Sequence, residues 1–220
     1  MLEMNFEIAR HNMIEQQIRP WNVIDPIVLS ALDAIPRENY VPDELKTSAF
    51  SDVELPIGHN QSMLCPKIEA RILQSVQLKK TDKVLEVGTG SGYMTALLAH
   101  LAEQVHTVEI NEQLSEQARQ KITSEGFENI TFAVADAAQG YTQDAPYDVI
   151  IITGALSRLD DSFKQSLKLG GRLFVVLGTA PVMEATLITR VSTNHYATEI
   201  LFETEIPELE NAPQKQTFML

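Results

Sequence analysis

The chain has 220 residues, enough for one sizeable core with a short decorated edge and rarely for two independent folds. Hydrophobic residues make up 44% and charged residues 21%, the balance of a soluble globular chain and not of a disordered one. With 17 basic against 30 acidic residues the net charge is −13, and no run of Lys or Arg offsets it, which argues against nucleic acid as a partner.

The opening stretch MLEMNFEIARHN lacks the apolar segment of a signal peptide. No apolar run approaches the roughly 18 residues of a membrane span. The single cysteine, Cys65, can form no intrachain disulfide and has no His or acid at metal-ligand or triad spacing, so a buried or loop thiol is expected, no metal, and a reducing, cytoplasmic setting without membrane attachment. Phe6, Ala9, Met13 and Ile14 stand at helical spacing until Arg19-Pro20 ends the run. Trp21 is expected to staple this helix to the next, which Asp25 caps and Pro26 opens, and which runs to Pro36. Prolines 36, 42, 56 and 66 then predict a long loop-rich segment, of the kind that carries function. Within it Arg37 either attracts a substrate carboxylate or pairs with Glu38 or Asp52.

From Pro66 the stretch KIEARILQSVQL reads as a helix. Short apolar runs then alternate with helical segments: KVLEVG, QVHTVEI, ITFAVAD, YDVIIIT and RLFVVLG. Continuous apolar runs at this spacing predict an α/β fold, doubly wound, whose mostly parallel sheet is buried on both faces. The stretch EATLITRVSTNHYATEILFETEI alternates apolar and polar positions and predicts an antiparallel pair at the sheet edge. The reading is a single domain, 1–220: N-terminal helices and loop over 1–78, a cofactor-binding core over 79–180, and a strand pair with tail over 181–220. His106, inside a strand pattern, is read as structural.

Ligands of such sheets bind at the carboxyl ends of the strands. After the first strand stand Gly88, Thr89, Gly90, Ser91 and Gly92, where alternate glycines allow a tight turn and a close backbone approach. A helix starting near Ser91 would aim its free N–H groups at the ligand. Glu109, closing the second strand, suits the two ribose hydroxyls of an adenosine. A nicotinamide dinucleotide would call for G-x-G-x-x-G, but here the third glycine comes one residue early and Glu86 precedes the first by two.

That E-x-G-x-G-x-G pattern resembles motif I of the class I S-adenosylmethionine-dependent methyltransferases. The resemblance implies a Rossmann-like sheet with an N-terminal helical segment, S-adenosyl-L-methionine as cofactor, an adenine contact at Asp136, and further cofactor contacts at Ile110, Ala137 and Thr153. Longer stretches narrow it. MIEQQIRP, PRENYVP at residues 36–42, LPIGHNQSMLCP at 55–66, APYDVIIITGA and LKLGGRLFVVLG are together similar to the protein-L-isoaspartate (D-aspartate) O-methyltransferase family over nearly the whole length. Family membership would imply methylation of the carboxylate of isoaspartyl residues in damaged proteins or peptides. It would make His59, Gln61, Ser62, Met63, Cys65 and Pro66 a substrate loop.

The family loop reads Gln-Thr-Ile-Ser-x-Pro, its serine helping to position the substrate carboxylate. Aligned on Gln61 and Pro66, this chain has Ser62, Met63, Leu64 and Cys65 between them, so Leu64 stands where the hydroxyl would be. Ser62, two residues away, reaches the same side if the loop is extended. The family's C-terminal Val-Arg-Phe-Val-Pro-Leu is here FETEIPEL, with Glu203 and Glu205 added. Two alternatives stay open: the same scaffold acting on another peptide group or a small molecule, and a non-catalytic S-adenosylmethionine-binding module. Oligomeric state has no signature in the sequence.

Overall fold

The computed structural model describes residues 4–213. Helix α1 (Phe6–Met13) is capped by Asn5, whose side chain accepts from the Ile8 N–H at 3.1 Å. It continues through a π turn (Ile14–Ile18) and a 3₁₀ turn (Arg19–Trp21) to Asn22, whose φ of 59° ends it. The buried stripe is Met13, Ile14 and Ile18, with Phe6 and Ala9 packed against it. Asp25 caps α2 (Pro26–Ala34) through the Ile27 N–H at 2.8 Å, as its sequence requires. Trp21 does not staple the helices: it is 40% exposed, and its ring lies 4.3 Å beneath the Lys67 Nζ of α3 (Pro66–Val76).

The segment read as loop is more ordered than its prolines suggest. Two 3₁₀ turns (Arg37–Asn39 and Asp43–Ser48) precede a hairpin of β1 (Leu55–Gly58) and β2 (Gln61–Met63). Its ladder pairs Leu55 with Met63 and Pro56 with Ser62. His59 and Asn60 turn it with φ of 53° and 57°, the pair of positive values that matches strand twist in a two-residue connection.

Among the described residues the main sheet has seven strands, in the order β5-β4-β3-β6-β7-β8-β9. Strands β3 (Lys83–Val87), β4 (Gln104–Glu109), β5 (Ile130–Val134), β6 (Tyr147–Leu156) and β7 (Leu167–Thr179) are parallel. Strands β8 (Val182–Ser192) and β9 (His195–Glu203) add the antiparallel edge. Val84, Leu85, Glu86 and Val87 are buried in succession, because side chains of both parities meet protein. One face packs on α3, α4 (Tyr93–Leu101) and α5 (Glu112–Ser124), through residues such as Val84, Val149 and Phe174, while α2 packs against α3 and α4. The other, with Leu85, Ile150 and Val175, is covered by Phe163 of the short α6 (Asp161–Gln165) and by connecting segments. The connection from β5 to β6 carries no helix, since Gly140, Asp144 (φ 59°) and Pro146 interrupt it.

Strand order reverses at β3, with β4 on one side and β6 on the other. A crevice therefore opens beyond its carboxyl end.

Candidate active site

The turn after β3 forms the crevice floor. Gly88 has φ of 96°, and a Cβ there would fall 2.3 Å from Thr153 Oγ1, so only glycine fits. The Thr153 hydroxyl lies 2.9 Å from the Val87 carbonyl oxygen and 2.8 Å from that of Gly88, pinning the turn to β6. Gly88, Thr89, Gly90 and Ser91 line the cleft. Gly92, expected to meet the ligand, does not line it: its φ is 87° and a Cβ would come within 3.0 Å of Ala118 Cβ, so this glycine lets α4 approach α5.

Glu109 ends β4 at the cleft wall, accepting from the Gly90 N–H at 2.9 Å on one oxygen and from the Asn111 N–H at 3.0 Å on the other. Each carboxylate oxygen keeps a lone pair for a ligand hydroxyl. Asp136 likewise lines the cleft, with Oδ1 accepting from the Ala138 N–H at 3.0 Å and Oδ2 from Asn211 Nδ2 at 2.9 Å. Ile110, Ala137 and Thr153 complete this wall.

Glu86 lies elsewhere. It is fully buried beneath the turn, outside the cleft lining, and its Oε2 accepts from Thr95 Oγ1 at 2.5 Å and Thr107 Oγ1 at 2.6 Å. Thr107 Oγ1 is in turn 2.6 Å from Thr89 Oγ1. A hydroxyl has one proton, so if Thr107 gives its own to Glu86 it accepts from Thr89. Glu86 thus holds the turn from below and does not reach a ligand. Burial pushes its carboxyl up to about 8, against the lowering effect of the two threonines.

The hairpin supplies the opposite wall. Gln61, Ser62, Met63 and Leu64 line the cleft, whereas His59 sits exposed at the hairpin turn, and Cys65 and Pro66 belong to the start of α3. Burial pushes the Cys65 thiol up to about 11, which makes it a poor nucleophile. Among the described residues the Ser62 hydroxyl makes no hydrogen bond, so it is free to meet a ligand. Leu64 is 7% exposed and belongs to the core as well as to the cleft.

Arg37 takes neither role expected of it. Fully buried, it is paired with Glu69, donates from Nε to the Ala49 carbonyl at 2.9 Å and from Nη2 to the Leu64 carbonyl at 2.6 Å, and so fastens the end of the hairpin. Glu69 lines the cleft base; burial raises its carboxyl pKa while Arg37 opposes the rise. The sequence reading did not place Glu69 here, although a glutamate among Ile68, Ala70, Ile72 and Leu73 on the apolar face of α3 is a legible signal. His106 is structural, buried with Nδ1 3.4 Å from Asp144 Oδ2.

The segment after β9, which the sequence marks only as an altered family stretch, is a second part of the site. Pro207, Glu208, Leu209 and Glu210 cross the cleft, hung on β6 by the Ala155 N–H to the Pro207 carbonyl at 2.8 Å and the Leu209 N–H to the Ala155 carbonyl at 3.0 Å. Among the described residues the cleft lining includes Glu69, Glu109, Asp136, Glu208 and Glu210, and no lysine, arginine or histidine. Such a lining favours a cationic ligand and gives a carboxylate no partner of opposite charge.

The family model for Protein-L-isoaspartate(D-aspartate) O-methyltransferase (PCMT) matches residues 8–204. A protein-L-isoaspartate O-methyltransferase of Picosynechococcus sp. is 41% identical over 170 residues, which is 77% of this chain and 77% of that one. One of Petrotoga mobilis is 35% identical over 197 residues, 89% of this chain and 92% of that one. The fold is shared with a Plasmodium falciparum beta-aspartate methyltransferase (PCMT) solved in complex with S-adenosyl-L-homocysteine, at a TM-score of 0.80 and 18% identity, over 94% of this chain and 99% of that one.

Proposed function

The chain belongs to the protein-L-isoaspartate(D-aspartate) O-methyltransferase family, and on that premise we propose that it methylates isoaspartyl carboxylates with Ser62 serving in place of the family serine that Leu64 has replaced. It is an S-adenosylmethionine-dependent methyltransferase acting on isoaspartyl residues of proteins or peptides. The residues fit the cofactor. The turn Gly88–Ser91 offers backbone groups to the methionine end, Glu109 has acceptor capacity left for the ribose, and Asp136 with Ile110 and Ala137 suits the adenine. When bound, S-adenosylmethionine supplies an electrophilic methyl group on a sulfonium, and the acidic lining suits that positive charge.

A substrate carboxylate, with an ordinary pKa near 4, is ionised at neutral pH and needs no general base. What the chain must supply is alignment, worth about 7–11 kcal/mol when complete. The observation that carries the reading is the presence of the glycine turn, Glu109 and the hairpin residues Gln61–Leu64 on one cleft. Among the described residues Ser62 is the hydroxyl on that wall without a protein partner.

Transfer of a tritiated methyl group to an isoaspartyl peptide, compared with its aspartyl twin, tests the proposal. Methylation of the isoaspartyl peptide alone supports it. Leu64 favours one rival reading, a pocket rebuilt for another nucleophile; methyl transfer to neither peptide, with cofactor binding intact, would decide for that rival or for a binding module.

A further inference from the structure

A second cavity adjoins the cofactor cleft. The two share Ile57, Gly90 and Ser91 in their linings, so they are separated only by the tip of β1 and the glycine turn. Tyr40, Asp43, Gln117 and Lys121 line the far side, and among the described residues Lys121 is its only cationic one.

The described surroundings of Lys121 give its charge no ion pair. The natural partner of Lys121 is Glu125, four residues on at the C-cap of α5. Glu125 turns instead to the PRENYVP segment, accepting from Tyr40 Oη at 2.6 Å and Asn39 Nδ2 at 3.0 Å, and forms no ion pair with Lys121. Asp43, the other acid nearby, is paired with Lys46 at 2.8 Å. Lys121 itself donates once, to the Tyr40 carbonyl at 3.1 Å, and an ammonium has three N–H groups. Half-buried, it feels its desolvation: burial lowers its pKa, Asp43 acts to raise it and Lys46 to lower it.

A chain of net charge −13 whose described cleft lining holds no cation thus keeps an ammonium outside any ion pair in the adjoining cavity. From this placement we infer that the second cavity is a substrate subsite for a carboxylate lying within a few residues of the isoaspartyl group, and that Lys121 sets this preference. The inference rests on the isoaspartyl reading above. An extended peptide spans about 3.3 Å per residue, so a chain threading past Ser91 needs only a short run to bring such a group over. The carboxylate comes either from an Asp or Glu side chain or from the peptide's own C-terminus.

The experiment measures kcat/KM on isoaspartyl heptapeptides that carry Glu or Gln at each position from three before to three after the isoaspartyl residue, each with a free or an amidated C-terminus. The enzymes are wild type, Lys121→Met and Lys121→Arg. The expected result is a Glu-over-Gln, or free-over-amidated, preference of about three- to tenfold at one position. It should narrow in high salt, fall to about one in Lys121→Met, and persist in Lys121→Arg. Which arm shows the preference identifies the source of the carboxylate. The readout is a ratio because a Lys121 that merely tethers Tyr40 would, when replaced, lower both peptides alike. That outcome, or a wild-type ratio near one at every position, overturns the inference. The neutral amidated peptide separates the two levels: if it is methylated and no ratio appears, only the subsite fails, and if no peptide is methylated both readings fall.

Discussion

Replacing Ser62 with alanine removes a hydroxyl that no described protein group holds, on a side chain that is only partly buried. Its cost in stability should stay within about 0.5 kcal/mol, the range of ordinary surface changes. If that hydroxyl donates to the substrate carboxylate, the loss is one hydrogen bond to a charged group, about 1.5–3 kcal/mol, or roughly ten- to 150-fold in kcat/KM. Ser62→Ala should therefore keep its melting temperature and its affinity for S-adenosylhomocysteine while losing at least about tenfold in methyl transfer to isoaspartyl peptide. Leu64→Ser behaves differently, because Leu64 is a core residue with its carbonyl held by Arg37. Truncating it should cost about 2–4 kcal/mol, which for a chain of this size is a fall of roughly 5–15 °C in Tm. Placed on the Ser62→Ala background at low temperature, it should nonetheless recover about tenfold in activity, since the hydroxyl returns two residues along the same wall. Radiolabel transfer with a calorimetric Tm measures the wild type and the three variants. A Ser62→Ala enzyme with more than half of wild-type kcat/KM, or a double variant no more active than Ser62→Ala, would refute the reasoning.

Three more outcomes are expected. Glu109→Ala should weaken S-adenosylhomocysteine binding by about tenfold to a hundredfold in titration calorimetry, as the ribose acceptor goes and the Gly90 and Asn111 N–H groups lose theirs; unchanged affinity would remove Glu109 from the site. Arg37→Met leaves Glu69 buried without its cation and should cost about 3–5 kcal/mol in urea unfolding, much of it recovered by Arg37→Met with Glu69→Leu; equal stability of the single and double variants would contradict this. Glu86 has a folded pKa of about 8, raised above an unfolded value near 4.5, so the folded state binds the extra proton between them. Its contribution is thus full below about pH 4.5 and is lost as pH rises through about 8. Denaturation midpoints should fall from pH 5 to pH 8 in the wild type, and less steeply in Glu86→Gln; parallel profiles would show that Glu86 is not the titrating group.

How much of the fold and site was legible depends on whether the signal was local. The runs Lys83–Val87 and Tyr147–Leu156 are apolar without alternation, which short of a membrane is how a strand buried on both faces reads. The glycine turn and Glu109 were legible for the same reason, as local backbone chemistry at the end of a recognisable strand. Gly92 and Glu86 fit the same motif but serve packing and support, because what a glycine's missing Cβ or a strand's side chain faces is decided by α5 for one and by Thr95 and Thr107 for the other. The hairpin escaped because its turn residues, His59 and Asn60, carry none of the glycine signature, and Pro56 demotes a four-residue strand.

Arg37 shows the limit most clearly. Its neighbours in sequence offered Glu38 and Asp52, yet its partner is Glu69, 32 residues away, because only a helix packed beneath the hairpin brings a carboxylate into the same dry space as the Leu64 and Ala49 carbonyls. The ion pair itself returns little net stability against its desolvation, so what Arg37 contributes is the geometry it imposes on the Ala49 and Leu64 carbonyls. That geometry sets where the backbone of Leu64 ends and therefore where Ser62 sits. A change of side chain at residue 64 can then move the hydroxyl along the hairpin without moving the wall. This is the physical reason to expect the family reaction to survive the loss of its serine.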